Sequence, residues 1–149
     1  MIHKKISVKI GEHHPTAEIT TYMIGNSEEL YDGRLRPLII ICPGGGYEMT
    51  SDREAEGIAL KFMAMGYHAA VLRYSVKPAV YPTALLQLAA TVKYFRENSD
   101  KYYIDADKII ICGFSAGGHL VASYGNSWNK AQFTNNRANG NEVCRPNAQ

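Results

Sequence analysis

The period of the apolar positions changes along this chain. Ile2–Ile10 and Ala17–Ile24 alternate polar and apolar residues, which predicts two antiparallel strands at a sheet edge, turned through His13-His14-Pro15. From Pro37 the alternation gives way to a continuous apolar run, Leu38–Cys42, of the kind found in a strand buried on both faces. Similar runs recur at Tyr67–Tyr74 and Ile109–Cys112. Between them the spacing is helical. A helix begins near Asp52, with Ala55, Ile58, Ala59, Phe62 and Met63 on one stripe and Gly66 as its stop. A second, with Thr83 as its cap, carries Leu85, Leu86, Leu88, Ala89, Val92 and Phe95. A third runs from the Gly113–His119 turn to about Tyr124. Apolar strands alternating with helices predict an α/β fold built from βαβ units, a mostly parallel sheet with helices on both faces. After Trp128 the pattern dissolves into Asn, Gly and Arg, as in an excursion loop, and Val143–Gln149 reads as the lead-in to a further strand.

Two glycine motifs fall where these elements change. Gly113-x-Ser115-x-Gly117 follows the third apolar run and opens a helix. A serine that projects its hydroxyl above a sheet needs such a strand–turn–helix setting, with no side chain two positions before or after it. The helix start also brings free N–H groups and a positive dipole end to the serine. Gly44-Gly45-Gly46, followed by Tyr47, comes directly after the first apolar run. Glycines there let a substrate carbonyl approach backbone donors, and the expected oxyanion hole is made by the N–H groups of Gly45, Gly46 and Ala116. The other use of such a turn, phosphate binding, would require a following Gly-Lys-Ser/Thr or a dinucleotide fingerprint, and neither is present.

Pro43-Gly-Gly-Gly-Tyr47, Val71-Leu-Arg-Tyr-Ser-Val76, Tyr81-Pro82 and Gly113-Phe-Ser-Ala-Gly-Gly-His119 together resemble the acetyl-esterase/lipase branch of the α/β-hydrolases, which includes bacterial esterases of acetylated xylan and other sugar esters. The likeness covers roughly Ala17 to Trp128. It implies an α/β-hydrolase fold, Ser115 as the nucleophile of a Ser-His-Asp triad, no cofactor and no metal, small acyl esters as substrates, and a structural role for His119 in the nucleophile helix. Many relatives carry an acidic residue where this chain has Gln87, an exchange expected to alter a local salt bridge only. Pro43 replaces the His of the HGGG form and is expected to change only how the loop is braced.

The triad order in this fold is Ser, then Asp or Glu, then His. After Ser115 the chain offers no Asp, and its one histidine, His119, precedes its one acidic residue, Glu142. The expectation is therefore the N-terminal part of a single domain over residues 1–149, truncated after the nucleophile helix and inactive alone. The 149 residues are 46% hydrophobic and 20% charged with a net charge of +2, and their cations are dispersed, so neither nucleic acid nor an anionic membrane is the expected partner. No secretory or membrane-spanning run is evident, which predicts a cytoplasmic protein whose three cysteines are reduced, two of them buried in strands. Self-association is expected from an uncovered sheet edge. His13 and His14 read as surface turn residues and His68 as a strand-end residue. Two other readings stay open: a non-catalytic module that keeps the pocket, and a peptidase or thioesterase on the same fold.

Overall fold

The structure, a computed structural model, describes residues 1–130 and 141–149; most of the loop expected after Trp128 lies outside the described residues. The edge hairpin forms as its alternation predicts: β1 (Lys5–Val8) pairs antiparallel with β2 (Ala17–Tyr22), and β2 pairs antiparallel with β4 (His68–Arg73). β3 (Arg36–Cys42) lies parallel to β4 on one side and to β5 (Ile104–Gly113) on the other. The order β1-β2-β4-β3-β5 puts the two strands that end in glycine motifs side by side.

The apolar runs are continuous because both faces are covered. Ile39, Ile41, Ala69 and Val71 meet Ala55 and Ala59, the latter on α1 (Glu56–Ala64). Leu38, Ile40, Ala70 and Leu72 face the opposite way, toward Leu85, Leu88, Val92 and Phe95 of α2 (Thr83–Glu97) and Leu120 and Tyr124 of α4 (Ala116–Gly125). The helix expected from Asp52 is divided. A 3-10 turn, Asp52–Glu54, precedes α1, whose stripe buries only Ala59 fully. Thr83 is not a cap. It is the first helical residue, behind Pro82, and its hydroxyl reaches His14 Nδ1 at 3.4 Å instead. β5 starts earlier than its apolar run, because a register irregularity opposite Arg36–Leu38 lets the polar stretch Asp105–Lys108 stay in the strand. A short helix, α3 (Ser99–Tyr102), links α2 to β5; no hydrophobic period marked it.

Three polar side chains are consumed inside this frame. His68 is completely buried; its Nδ1 accepts the Ile24 amide and its Nε2 donates to the Tyr103 carbonyl, each at 3.2 Å. It is the first residue of β4 and also a cross-link between segments. Gln87 is equally buried and forms no salt bridge. Its Oε1 accepts the Ser75 amide at 2.7 Å, while Nε2 donates to Pro15 O at 2.9 Å and Ser75 Oγ at 2.7 Å. Arg96 donates from Nε to Ala106 O at 3.1 Å and from its terminal nitrogens to Val143 O and Asn147 Oδ1, both at 2.8 Å. That clamp holds the final residues against β5, where Asn147 N donates to Ile109 O and Ile111 N to Ala148 O, so a parallel bridge begins at the strand's outer edge. This is the lead-in expected of Val143–Gln149.

All three cysteines are free thiols. Cys42 is buried and Cys112 only half-buried, which corrects the expectation that both are sealed. Ile41, not Cys42, is the register partner of Cys112, so the two thiols face opposite sides of the sheet. Burial pushes both up from the ordinary thiol range. Among the described residues no helix is long and apolar enough to cross a membrane.

Candidate active site

β5 ends at Gly113, and the chain turns into α4 through Ser115, which is exposed and sits at φ 51°, ψ −117°. A non-glycine residue in that region is strained, by roughly 1–3 kcal/mol. A serine at a helix start ordinarily caps it by accepting an amide; here no side-chain cap bond forms, and among the described residues the hydroxyl has no hydrogen-bond partner at the mouth of α4. The glycines around it are required by close approach. A Cβ on Gly113 would run into the Gly117 carbonyl, and one on Gly117 would strike the Cys42 carbonyl and lie 2.6 Å from Pro43 O. The turn therefore packs directly on the end of β3.

The Gly44–Gly46 loop leaves β3 on the same side. A Cβ on Gly44 would lie 2.7 Å from Phe114 O and 2.9 Å from Ser115 Cβ, so loop and elbow are in contact. Gly45, at φ +138°, has its carbonyl turned to the Glu48 and Met49 amides at 3.0 and 3.2 Å. Among the described residues, the N–H groups of Gly45, Gly46 and Ala116 find no protein acceptor. The amides expected to line an oxyanion hole are thus free, and one belongs to the first residue of α4, where the helix dipole is positive.

Residues that spacing did not reveal hold this arrangement. Tyr74, the residue after β4, is buried and donates to Pro43 O at 2.6 Å, which is how a loop with Pro at that position is braced. Burial, with Cys42 and Tyr47 nearby, raises its phenol well above the usual range, so it remains a donor. Tyr47 and His119 join loop to helix: the phenol oxygen lies 2.8 Å from His119 Nδ1 and the rings meet edge-on at 5.9 Å. His119 leans toward Tyr47, one turn along from Ser115. Tyr47 was singled out only as part of the loop motif, and nothing in the sequence linked it to His119.

A mixed sheet with helices on both faces, its strands β4, β3 and β5 parallel, whose serine sits at a strained strand-to-helix turn beside a glycine loop, is an α/β-hydrolase fold. The crystal structure of MGS-M1, an α/β-hydrolase enzyme from a Medee basin deep-sea metagenome library, is 44% identical; the match covers 79% of this chain and 49% of that one at a TM-score of 0.71. The carboxylesterase Cest-2923 from Lactobacillus plantarum WCFS1 is 34% identical over 91% of this chain and 50% of its own, at a TM-score of 0.81. An acetyl ester-xyloside bifunctional hydrolase from Caldicellulosiruptor lactoaceticus is 28% identical, with 95% of this chain and 54% of that chain covered at a TM-score of 0.76. The BD-FAE family profile matches residues 29–147, and the chain belongs to that family. It spans about half the length of these solved relatives, and 14–28% of the curated ones it matches.

Proposed function

We propose that this chain carries the nucleophile and oxyanion hole of a serine hydrolase that cleaves small carboxylic esters, acetyl esters of sugars among them. The observation that carries the proposal is the elbow: a strained, uncapped Ser115 in contact with a loop whose next two amides are free. In this reading Ser115 Oγ attacks the ester carbonyl and its proton passes to a general base outside the described residues. The carbonyl oxygen becomes an oxyanion that accepts hydrogen bonds from Gly45, Gly46 and Ala116. Collapse of the tetrahedral intermediate breaks the bond to the alcohol, which leaves with that proton, and water then hydrolyses the acyl-serine. The esterases among its relatives support the ester as substrate, and the acetyl ester-xyloside hydrolase supports an acetylated sugar. His119 is not assigned as the base, since its Nδ1 faces Tyr47.

The test is a fluorophosphonate probe with peptide mapping, applied to the protein in its full reading frame. Covalent label on Ser115, together with loss of p-nitrophenyl acetate hydrolysis in Ser115→Ala, is the expected result. A folded protein that takes no label is a binding module instead, and a Ser115→Ala variant with unchanged turnover refutes the assignment outright.

A further inference from the structure

We infer that Glu54 is the positioning residue of the oxyanion loop: by taking the Gly44 amide, its carboxylate leaves the next two amides, those of Gly45 and Gly46, to face the substrate. The inference rests on the reading of Ser115 as nucleophile.

The first two glycines of the loop have few backbone groups to distribute, and most of these are engaged. The Gly44 N–H donates to Glu54 Oε2 at 2.7 Å, a short contact of the charge-assisted kind, and the Gly44 carbonyl accepts the Ser51 amide at 2.8 Å. The Gly45 carbonyl accepts from Glu48 and Met49. With Gly44 satisfied on both sides and Gly45 anchored through its carbonyl, the donors left over among the three glycines are the Gly45 and Gly46 amides. An oxyanion hole needs that division. A donor that can swing between a substrate oxygen and a neighbouring carboxylate is not preorganised, and preorganisation is where the stabilisation originates.

Glu54 is itself held. It ends the 3-10 turn Asp52–Glu54, and the segment entering that turn is gripped from the end of β4: Arg73 donates to Thr50 O at 2.8 Å, to Thr50 Oγ1 at 3.2 Å and to Asp52 Oδ1 at 2.6 Å. Ser51, between them, is buried. A Cβ on Gly44 would lie 2.8 Å from Glu54 Oε2 as well as 2.9 Å from Ser115 Cβ, so the carboxylate backs the loop beside the serine with no room for an intervening water. The sequence offered no sign of this, because Glu54 lies in a polar stretch at no motif spacing.

The experiment compares Glu54→Ala, Glu54→Asp and Glu54→Gln in the protein in its full reading frame, with rates expressed per serine titrated by the fluorophosphonate. Alanine removes the acceptor, aspartate withdraws it by one methylene, and glutamine keeps an oxygen in reach without the charge. Expected is a kcat loss of about 10- to 100-fold for Ala and Asp with little change in KM, the pattern of an interaction realised in the transition state. Glutamine should retain most of the turnover. Amide exchange across residues 43–50, followed by mass spectrometry, should accelerate in Ala and Asp and not in Gln. Unchanged kcat per titrated serine in Glu54→Asp, or a Glu54→Gln variant as impaired as the alanine, overturns the inference. Absence of label on Ser115 in the unsubstituted protein instead overturns the underlying reading of the site.

Discussion

Acidification should destabilise this protein through one buried histidine. His68 has no solvent-exposed surface, and its two nitrogens are both engaged: Nδ1 accepts the Ile24 amide, so the proton sits on Nε2, facing Tyr103 O. A second proton would have to displace the Ile24 amide. Burial, reinforced by the nearby Arg36 guanidinium, lowers the pKa from the ordinary 6.5 to about 4. The unfolded chain therefore binds a proton that the folded chain refuses, and stability present above pH 6.5 is lost as the pH falls from 6.5 toward 4. The full difference corresponds to about 3 kcal/mol, of which about 1.4 kcal/mol is lost by pH 5.5. Urea unfolding followed by far-UV circular dichroism at pH 7.5, 6.5 and 5.5, on the protein in its full reading frame and on His68→Gln, isolates this contribution as the difference between the two curves. The variant starts less stable, having lost a packed ring, but should lose about 1.4 kcal/mol less on acidification to pH 5.5. Parallel curves for the two proteins would refute the reasoning.

Three further outcomes are expected. Gly44→Ala should lower ester turnover by about two orders of magnitude while the protein still folds, since the added methyl meets Phe114 O, Glu54 Oε2 and Ser115 Cβ all below 3.0 Å and must push the loop away; unchanged p-nitrophenyl acetate kinetics would count against the contact. Gln87→Glu should cost about 1–3 kcal/mol in thermal or urea unfolding, because a carboxylate cannot donate to Pro15 O and Ser75 Oγ from a fully buried position; equal stability would show that the amide donors contribute nothing. Residues 1–149 expressed alone should hydrolyse p-nitrophenyl acetate near background and self-associate in sedimentation. The sole histidine after Ser115 leans on Tyr47, and among the described residues the outer edge of β5 is paired at a single bridge. A monomer turning over at an ordinary enzymatic rate would make His119 the base.

The sequence by itself determined what depends on local period and on steric exclusion. Leu38–Cys42 and Ile109–Cys112 announced doubly covered strands because every position is apolar, and the hairpin strands announced themselves through a mostly alternating pattern, as in Ile6, Val8 and Ile10. Gly113-x-Ser115-x-Gly117 was legible as an elbow because the turn tolerates no Cβ at its flanks, and the carbonyls of Gly117 and Cys42 are what those methyls would strike. Polar partnerships were not legible. Glu54, ten residues past Gly44, could be joined to it only once β4 and Arg73 had fixed the path of the intervening chain. His68 reads from the sequence only as a strand-end residue because its partners, Ile24 and Tyr103, are 44 and 35 residues away. Thr83 was read as a cap because cap chemistry is local, yet His14 on the edge hairpin reached its hydroxyl instead. A hydrophobic residue needs only to be inside, so its pattern suffices to place it. A buried donor or acceptor needs one particular partner at hydrogen-bond distance, and only the tertiary structure decides which part of the chain supplies it.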